Sequence, residues 1–244
     1  MGRALRIGIV SQARMTSTRL PGKVLLRAGG DSLLGCHLRR LRQTGLPVLL
    51  ATTTNATDDV LAAFGKSHDV PVTRGDEHDV LGRFQLCAQE NDLEAVVRVT
   101  SDCPFIAPEL IVEGVARYRA AADPRLYLSN VLRRTYPRGF DFEIFSRELL
   151  DEAAQRATLP AEREHVTPYI NQNRAGTVHL THLTRAADAS RYRLTVDTPE
   201  DFALVRVLLA DHAAGQLSGE ALIELLSTHP ELVALNATVE QKKI

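Results

Sequence analysis

The sequence predicts an α/β fold whose sheet is mostly parallel and covered by helices on both faces. Short runs rich in β-branched residues lie at 5–10, 48–52, 70–73 and 95–100, and each is bounded by polar residues. Segments with apolar residues at helical spacing separate these runs. Strands that alternate with helices of this length are typical of parallel sheets, because a parallel connection needs a crossover.

Three helices are predicted between these strands. The first begins after the N-cap candidates Asp31 and Ser32, the second after Thr57, and the third near Val80. The residues that recur at helical spacing are Leu33, Leu34, His37, Leu38, Leu41, Val60, Leu61, Phe64, Val80, Leu81, Phe84 and Ala88.

The second half of the chain changes character and becomes richer in strand signals. In order it predicts a strand, a loop and a strand within 126–146, helices near 147–158 and 161–173, strands at 177–184 and 191–196, and helices near 199–213 and 218–228. No repeat, low-complexity tract or linker interrupts the chain. We therefore predict one domain over residues 1–244, with an inserted β-rich arm at roughly 126–185.

Composition excludes several classes of protein. The 244 residues carry a formal net charge of −1, which disfavours a protein that coats nucleic acid. Cys36, Cys87 and Cys103 lack the paired spacing of zinc sites. No apolar run approaches the roughly 20 residues that span a bilayer, and the N-terminus shows no export signal. We expect a cytoplasmic protein that binds neither nucleic acid nor membranes.

The strongest local signal is the basic loop at 11–23, SQARMTSTRLPGK, which directly follows the first predicted strand. Open α/β sheets bind ligands beyond the carboxyl ends of their strands. A polyphosphate needs cations and hydrogen-bond donors of the kind this loop offers. A solvated basic loop is the alternative interpretation. The cations of residues 1–30, a stretch without Asp or Glu, are Arg3, Arg6, Arg14, Arg19, Lys23 and Arg27.

Two aspartates follow predicted strands in the same way. Asp102 follows the run at 95–100, and Asp197 follows the run at 191–196. Mg²⁺ prefers carboxylate and phosphate oxygens, so both are candidate metal ligands. Structural alternatives exist: Asp197 can cap a helix that starts at Thr198, with Glu200 completing a capping box, and Asp102 can be a turn residue before proline.

The loop resembles the signature of the cytidylyltransferases that activate sugar acids, namely the CMP-3-deoxy-manno-octulosonate and CMP-sialic acid synthetases. The segment QARMTSTRLPGKVLL is most similar to the branch named after spore-coat polysaccharide biosynthesis. Asp102 matches an Asp-x-Pro element of the family, and Asp197 matches its late VDTPED element. The resemblance implies a Rossmann-like, nucleotide-diphospho-sugar transferase (GT-A-like) sheet, CTP as a substrate and Mg²⁺ held by both aspartates.

The resemblance also implies roles for individual residues. Arg14, Lys23, Asp102 and Asp197 are the candidate catalytic residues. Arg74 is a candidate contact for base or ribose, and Arg83 a candidate for orienting Asp102 or another carboxylate. The complete set of candidate nucleotide contacts is Gln12, Ala13, Arg14, Ser17, Arg19, Lys23, Arg74 and Ser101.

Two further segments resemble acceptor-binding elements of the family. The segment YPRGFDFE at 136–143 matches its PxGxDxE loop, and EREHVTPY at 162–169 matches the spore-coat branch. An acidic acceptor needs cations to offset its charge. Ordinary surface ion pairs on the helix at 162–164 are the alternative. The candidate acceptor contacts are Asn130, Arg138, Asp141, Glu143, Arg163 and His165.

We therefore predict an Mg²⁺-dependent cytidylyltransferase that couples CTP to an acidic sugar or related acid and releases pyrophosphate. A phosphonate cytidylyltransferase is the alternative within the same chemistry, because related folds activate phosphonates. A glycosyltransferase that uses a nucleotide sugar is the second alternative, although Ser101-Asp102-Cys103 lacks the first aspartate of an Asp-x-Asp motif. A non-catalytic nucleotide-binding protein is the third. The family also implies a homodimer formed through the inserted arm.

Overall fold

The computed structural model describes residues 5–240, which form one central sheet, a short hairpin and helices. The strands are β1 (Ile7–Gln12), β2 (Arg27–Ala28), β3 (Asp31–Ser32), β4 (Val48–Thr53), β5 (Val72–Gly75), β6 (Ala95–Thr100), β7 (Leu126–Ser129), β8 (Glu143–Ser146) and β9 (His179–His182). The helices are α1 (Leu33–Arg42), α2 (Asp59–Ser67), α3 (Val80–Glu90), α4 (Pro108–Ala121), α5 (Arg147–Arg156), α6 (Pro160–His165), α7 (Pro168–Asn171), α8 (Pro199–Asp211), α9 (Gly219–Thr228) and α10 (Pro230–Ala234).

The central sheet has seven strands in the order β5-β4-β1-β6-β8-β7-β9. The first four strands are parallel, with Ile9 opposite Val48 and Val97 in the neighbouring strands. Strand β8 runs antiparallel to both β6 and β7, and β9 runs parallel to β7. The prediction of a mostly parallel α/β sheet is confirmed.

Strands of the predicted arm at 126–185 belong to this same sheet, because β7, β8 and β9 extend it beyond β6. The role of this segment in dimerisation stays a prediction.

Two apolar clusters cover the two faces of the sheet. Ile9 and Val97 belong to the larger cluster, which also holds residues of α1, α4, α8 and α9. Their neighbours Val10 and Val96 belong to the other cluster, with residues of α3, α5 and α7. Alternate residues of a strand point to opposite faces, so this partition is what a sheet covered on both sides requires.

The helix predictions at α1 and α3 are confirmed in detail. Ser32 caps α1, since its side chain accepts a hydrogen bond from Gly35 N at 3.0 Å. In α3 the predicted stripe of Val80, Leu81, Phe84 and Ala88 is fully buried. Capping satisfies a backbone N–H that the first helical turn leaves free.

The helix prediction at α2 is only partly right. Val60 is 45% exposed, whereas Leu61 is buried. The helix begins at Asp59 after a short 3₁₀ turn, Ala56–Asp58, so Thr57 does not cap it. Asp58 is buried, and its carboxylate instead accepts hydrogen bonds from Met15 N and from the hydroxyl groups of neighbouring threonines.

Two other segments differ from prediction. Helix 161–173 is broken into α6 and α7, because Pro168 has no N–H with which to continue a helix. Residues 191–196 form no strand beyond a single bridge between Arg138 and Arg193. Their backbone instead forms hydrogen bonds with two different loops. Leu194 N donates to Arg138 O at 2.7 Å, and Val196 N donates to Asp102 O at 2.8 Å.

No helix within residues 5–240 combines the length and the apolar character needed to cross a membrane.

Candidate active site

A cleft of about 400 Å³ lies beyond the carboxyl ends of β1 and β6, where the polar loops of the parallel strands meet. Twelve of the predicted site residues line it: Gln12, Ala13, Arg14, Ser17, Arg19, Lys23, Ser101, Asp102, Arg138, Asp141, His165 and Asp197. The cleft therefore brings the basic loop, both candidate metal aspartates and part of the acceptor loop into one place.

The loop after β1 is held in a fixed conformation by its own backbone. Met15 O accepts a hydrogen bond from Gly22 N at 2.9 Å, and Ala13 N donates to Ala51 O at 3.0 Å. Gly22 has φ 68°, a left-handed conformation that side chains disfavour, and it directly precedes the 3₁₀ turn Lys23–Leu25. This turn directs Lys23 into the cleft, where the residue is buried.

Lys23 bridges the two candidate metal aspartates. Its Nζ donates to Asp102 Oδ2 at 2.7 Å and to Asp197 Oδ1 at 2.8 Å. Burial by itself would raise the pKa of Asp102, but the Lys23 ammonium outweighs it and holds that pKa at about 2. Burial would likewise lower the pKa of Lys23, and the two carboxylates raise it above its usual value. Both aspartates thus contact one cation.

Asp197 lies at the centre of a wider charge network. Its Oδ1 is 3.0 Å from Arg19, and its Oδ2 accepts a hydrogen bond from Arg193 at 2.7 Å. Arg193 is buried and also donates to Asp201 Oδ1 at 2.8 Å. Charged partners on both oxygens fix the direction of the Asp197 carboxylate.

The capping alternative for Asp197 is wrong. Thr198 caps α8 by accepting from Asp201 N, and Asp201 rather than Glu200 completes the capping box. The Asp197 carboxylate is therefore left to face the cleft. Asp102 does stand in the predicted turn, and its carboxylate faces the cleft as well.

A buried chain of hydrogen bonds supports the loop that carries Asp102. His37 Nδ1 donates to Cys103 O at 2.8 Å, which leaves Nε2 to accept from the Ser11 hydroxyl at 2.9 Å. Ser11 in turn accepts from the Ser101 hydroxyl at 2.7 Å. Burial lowers the pKa of His37 to about 4, so the ring is neutral at pH 7, as this arrangement requires. Sequence reasoning placed His37 only on the buried face of a helix.

Arg14 lies at the outer rim of the cleft. Its side chain is 40% exposed and its NH1 is 3.4 Å from Glu77 Oε1. Glu77 also accepts hydrogen bonds from Thr16 and Asn55, each at 2.5 Å. The long contact leaves Arg14 free to take a stronger acceptor, because exposed ion pairs contribute little.

Close backbone packing positions the acceptor loop. Gly139 has φ 103°, and a Cβ there would lie 2.7 Å from the carbonyl carbon of Leu194. Only glycine permits this approach. This close approach of Gly139 to Leu194 places Arg138 and Asp141 at the cleft. There Asp141 pairs with Arg134 through two hydrogen bonds at 2.6 and 3.0 Å.

Four predicted contacts lie outside the cleft lining and hold the fold together. Arg74 donates to the carbonyls of Thr53 and Asn55 and pairs with Asp59 at 2.7 Å. Arg163 donates to Ala154 O and pairs with Asp79. Both side chains are therefore occupied by partners within the chain, on neighbouring elements.

Asn130 and Glu143 are buried and fully engaged. The Asn130 amide donates to Phe140 O at 2.8 Å and accepts from Phe142 N at 3.0 Å. Glu143 pairs with Arg98 and accepts from Tyr127 OH at 2.5 Å and Thr167 Oγ1 at 2.6 Å. Their polar atoms already have partners within the chain, and the acceptor role of both residues stays a prediction.

Sequence reasoning missed several lining residues. Arg98 lies on the cleft floor within β6. Arg83, which was predicted to orient Asp102 or another carboxylate, reaches the floor from α3. The sequence did contain a signal for Arg98, because a charged residue inside the apolar run AVVRVT is unusual. Thr18, Thr100, Cys103, Glu164 and Thr195 also line the cleft.

The donor set fits a hard divalent cation. One ammonium group already contacts oxygens of both Asp102 and Asp197, so a single cation can reach both carboxylates. Mg²⁺ is typically held by one or two carboxylates together with substrate phosphates and water. Within residues 5–240 no cluster of three or more acidic, histidine or cysteine side chains forms a complete metal cage.

Comparison with known proteins shows the family of this chain. The family model described as "Cytidylyltransferase" matches residues 7–244. The spore coat polysaccharide biosynthesis protein SpsF of Bacillus subtilis is 33% identical over 233 residues, covering 91% of this chain and 94% of that protein. A 3-deoxy-manno-octulosonate cytidylyltransferase of Rhodopseudomonas palustris is 36% identical, but over 44% of this chain and 45% of its own length.

Solved structures show the same fold. A cytidylyltransferase from Leptospira borgpetersenii superposes with a TM-score of 0.91 at 33% identity, covering 98% of this chain and 100% of that one. A CMP:2-keto-3-deoxy-manno-octonic acid synthetase complexed with CTP has a TM-score of 0.62 at 21% identity, covering 85% of this chain and 99% of that one.

Proposed function

Because this chain belongs to the cytidylyltransferase family, we propose that it couples CTP to a small acidic acceptor and releases pyrophosphate. The product is a CMP conjugate of a sugar acid or a related acid. The observation that carries the proposal is the meeting of the basic loop with both aspartates, where Lys23 Nζ lies within 2.8 Å of Asp102 and Asp197.

The basic loop is the proposed triphosphate site. Arg14, Arg19 and Lys23 bring three cations to one cleft, and Ser17 adds a hydroxyl donor. Charge-assisted hydrogen bonds to phosphate are about twice as strong as neutral ones. Arg14 and Lys23 would bind oxygens of the β- and γ-phosphates and stabilise the charge that forms on departing pyrophosphate.

Asp102 and Asp197 are the proposed ligands of Mg²⁺. When bound there, the ion would supply positive charge beside the α-phosphate. The low pKa of Asp102 keeps its carboxylate ionised and able to serve as a ligand at neutral pH. The hydrogen-bonded chain from His37 holds the backbone next to Asp102 in place.

The reaction is an in-line displacement. An acceptor oxygen forms a bond to the α-phosphorus of CTP, and the bond from that phosphorus to the bridging oxygen of pyrophosphate breaks. The protein contributes mainly by positioning the two substrates and by neutralising charge. No covalent enzyme intermediate is part of the proposal, because no described nucleophile is paired with a base at the cleft.

An acidic acceptor is supported by the other end of the cleft. Arg138 lines the cleft, and among the described residues its guanidinium makes no side-chain hydrogen bond. Burial lowers the pKa of Arg138, as does the charge of nearby Arg134, so an anion there would be stabilising. His165 lines the same region. The names of the relatives favour a sugar acid and a place in polysaccharide biosynthesis.

A pyrophosphate-release screen tests the proposal. Each of the four nucleoside triphosphates is combined with sugar acids, sugar phosphates and phosphonates in the presence of Mg²⁺. We expect turnover with CTP and a sugar acid. Turnover with CTP and a phosphonate would establish the alternative acceptor class. No pyrophosphate release with CTP and any acceptor, together with hydrolysis of a nucleotide sugar, would refute the proposal in favour of glycosyl transfer.

A further inference from the structure

Arg83 is a buried cation on the cleft floor that forms no salt bridge with a described carboxylate. Its exposed fraction is 2%, and it lines the cleft from α3. Within the described chain its NH1 donates only to the main-chain oxygens of Asp76 (2.8 Å) and Glu77 (3.3 Å). Carbonyl dipoles do not neutralise a full charge, and a buried charge without a counter-ion is destabilising.

The acidic side chains nearest to Arg83 are committed elsewhere. Glu77 accepts from Thr16 and Asn55, and Asp58 accepts from the threonines of β4 and from a backbone N–H. Asp76 accepts from the backbone N–H of His78 at 2.7 Å. None of the three forms a salt bridge with Arg83 in the described part of the chain. The expectation that Arg83 orients Asp102 is likewise not supported by any contact.

The electrostatic surroundings of Arg83 leave its charge only partly compensated. Burial lowers its pKa, and the positive charge of Arg14 lowers it further, whereas Asp58, Glu77 and Asp76 act in the opposite direction without outweighing them. Two guanidinium groups that repel each other across a cleft are both stabilised when an anion binds between them. Arg14 belongs to the loop already proposed to bind phosphate.

Unpaired buried atoms concentrate at the same cleft. Six side-chain nitrogen or oxygen atoms in the described residues are buried without a partner, and three of them belong to cleft residues: Gln12 Oε1, Arg83 Nε and Arg98 Nε. Most buried polar atoms in proteins have a partner, so such a concentration marks a place where a ligand supplies one.

The chain makes room for the Arg83 side chain in its present position. A Cβ at Gly75 would lie 2.8 Å from Arg83 Cγ, so glycine at this position allows the side chain to cross the end of β5. The placement of the guanidinium is therefore built into the fold.

We propose that Arg83 is a further anion-binding residue of the cleft, which together with Arg14 binds an oxyanion of a bound substrate. The oxyanion is either a phosphate of the nucleotide or the acidic group of the acceptor. The inference rests on the proposed function for the identity of the substrates, but not for the existence of the anion site.

The test uses the intact protein, the variant Arg83→Met and inorganic tripolyphosphate, CTP and cytidine as probes in calorimetric titrations. If Arg83 binds phosphate, Arg83→Met weakens the binding of tripolyphosphate and CTP by about tenfold or more and leaves cytidine unaffected. If it binds the acceptor, CTP affinity is retained and the KM for the acceptor rises by a similar factor. Arg83→Lys should recover part of the affinity in either case.

Thermal unfolding separates a binding role from a structural one. Without ligand, we expect the unfolding midpoint of Arg83→Met to fall by no more than about 2 °C, because loss of two carbonyl contacts is offset by removal of an unneutralised charge. The control is Arg98→Met, which also removes a floor arginine but leaves Glu143 buried and unpaired. That control should unfold at a clearly lower temperature.

Two results together would overturn the inference. Arg83→Met would unfold at a much lower temperature than wild type. Its affinities for tripolyphosphate and CTP, and its KM for the acceptor, would all stay within twofold of the wild-type values. Failure of the proposed function looks different. Wild-type protein would then bind tripolyphosphate but release no pyrophosphate from CTP, and weaker tripolyphosphate binding by Arg83→Met would still support the anion site.

Discussion

The ammonium nitrogen of Lys23 lies 2.7 Å from Oδ2 of Asp102 and also contacts Asp197, so one side chain bridges both aspartates. A divalent cation placed between the same oxygens competes with this ammonium. We infer that the protein without nucleotide binds free metal weakly, and that a triphosphate favours metal binding by giving Lys23 another anionic partner.

Lys23→Met should therefore raise the affinity for Mn²⁺ in the absence of nucleotide, by about tenfold, because it removes the ammonium that bridges Asp102 and Asp197, although Asp197 keeps its contacts with Arg19 and Arg193. Titration of the Mn²⁺ paramagnetic resonance signal measures this directly. The same variant should lose CTP-dependent turnover. Lys66→Met, at an exposed lysine of α2, is the control. Unchanged or weaker Mn²⁺ binding by Lys23→Met would contradict the competition.

Asp102→Ala and Asp197→Ala should each reduce CTP-dependent pyrophosphate release by about a hundredfold or more, since each removes a proposed metal ligand worth several kcal/mol in the transition state. Circular dichroism should show a retained fold. Asp211→Ala, an exposed aspartate at the end of α8, should keep wild-type activity. Normal turnover in either active-site variant would remove the proposed metal site.

Stability should decrease as the pH falls from about 6.5 towards 4, in part because of His37. Its pKa is about 4 in the folded chain against 6.5 for an ordinary histidine, so protons bind preferentially to the unfolded chain over this range. A pKa difference of this size lowers the free energy of unfolding by about 3 kcal/mol once the pH is below both pKa values. Urea denaturation at several pH values measures the slope.

His37→Gln should flatten that slope, whereas His78→Gln, at an exposed histidine, should not. Equal slopes in all three proteins would show that His37 does not control acid stability. Asp102, with its pKa held at about 2, should add a further loss of stability only as the pH falls through about 4 to 2.

Asn130→Ala should act on stability rather than on substrate binding. It leaves Phe140 O and Phe142 N without their partner in a buried position. Each unsatisfied group should lower the free energy of unfolding by about 1–3 kcal/mol. We expect a lower unfolding midpoint and an acceptor KM within about twofold of wild type. A large rise in that KM with unchanged stability would restore Asn130 as an acceptor contact.

Arg138→Met should show the opposite pattern. Its guanidinium lines the cleft and makes no side-chain hydrogen bond within the described residues. We expect the acceptor KM to rise by about tenfold while the unfolding midpoint changes little, as for a residue that binds charge in the substrate. A KM that stays at the wild-type value would exclude Arg138 from the acceptor site.

Local signals in the sequence were sufficient for most elements. The cap at Ser32 and the buried stripe of α3 were predicted correctly, because both depend on residues close together in the chain. The burial of Val60 and the strand at 191–196 were predicted wrongly. Burial and strand pairing depend on contacts with distant segments, such as Leu194 with Arg138, that no local pattern contains.

The same division applies to the site. The basic-loop motif indicated Arg14 and Lys23, two further family elements indicated Asp102 and Asp197, and the cleft contains all four. The resemblance could not separate cleft residues from supporting ones. Glu143 lies in a matching segment and Asn130 precedes it in the arm, yet their side chains satisfy buried atoms of the chain itself.

The sequence by itself predicted the fold class and the family, because strand and helix periodicity and the basic-loop motif are local properties. Only the tertiary structure decided which charges are already balanced. Lys23 is neutralised by two aspartates from segments far along the chain, whereas Arg83 is buried with carbonyl partners alone. Burial and counter-ions depend on the packing of distant elements, and it is this packing that distinguishes a structural arginine from one left to bind a ligand.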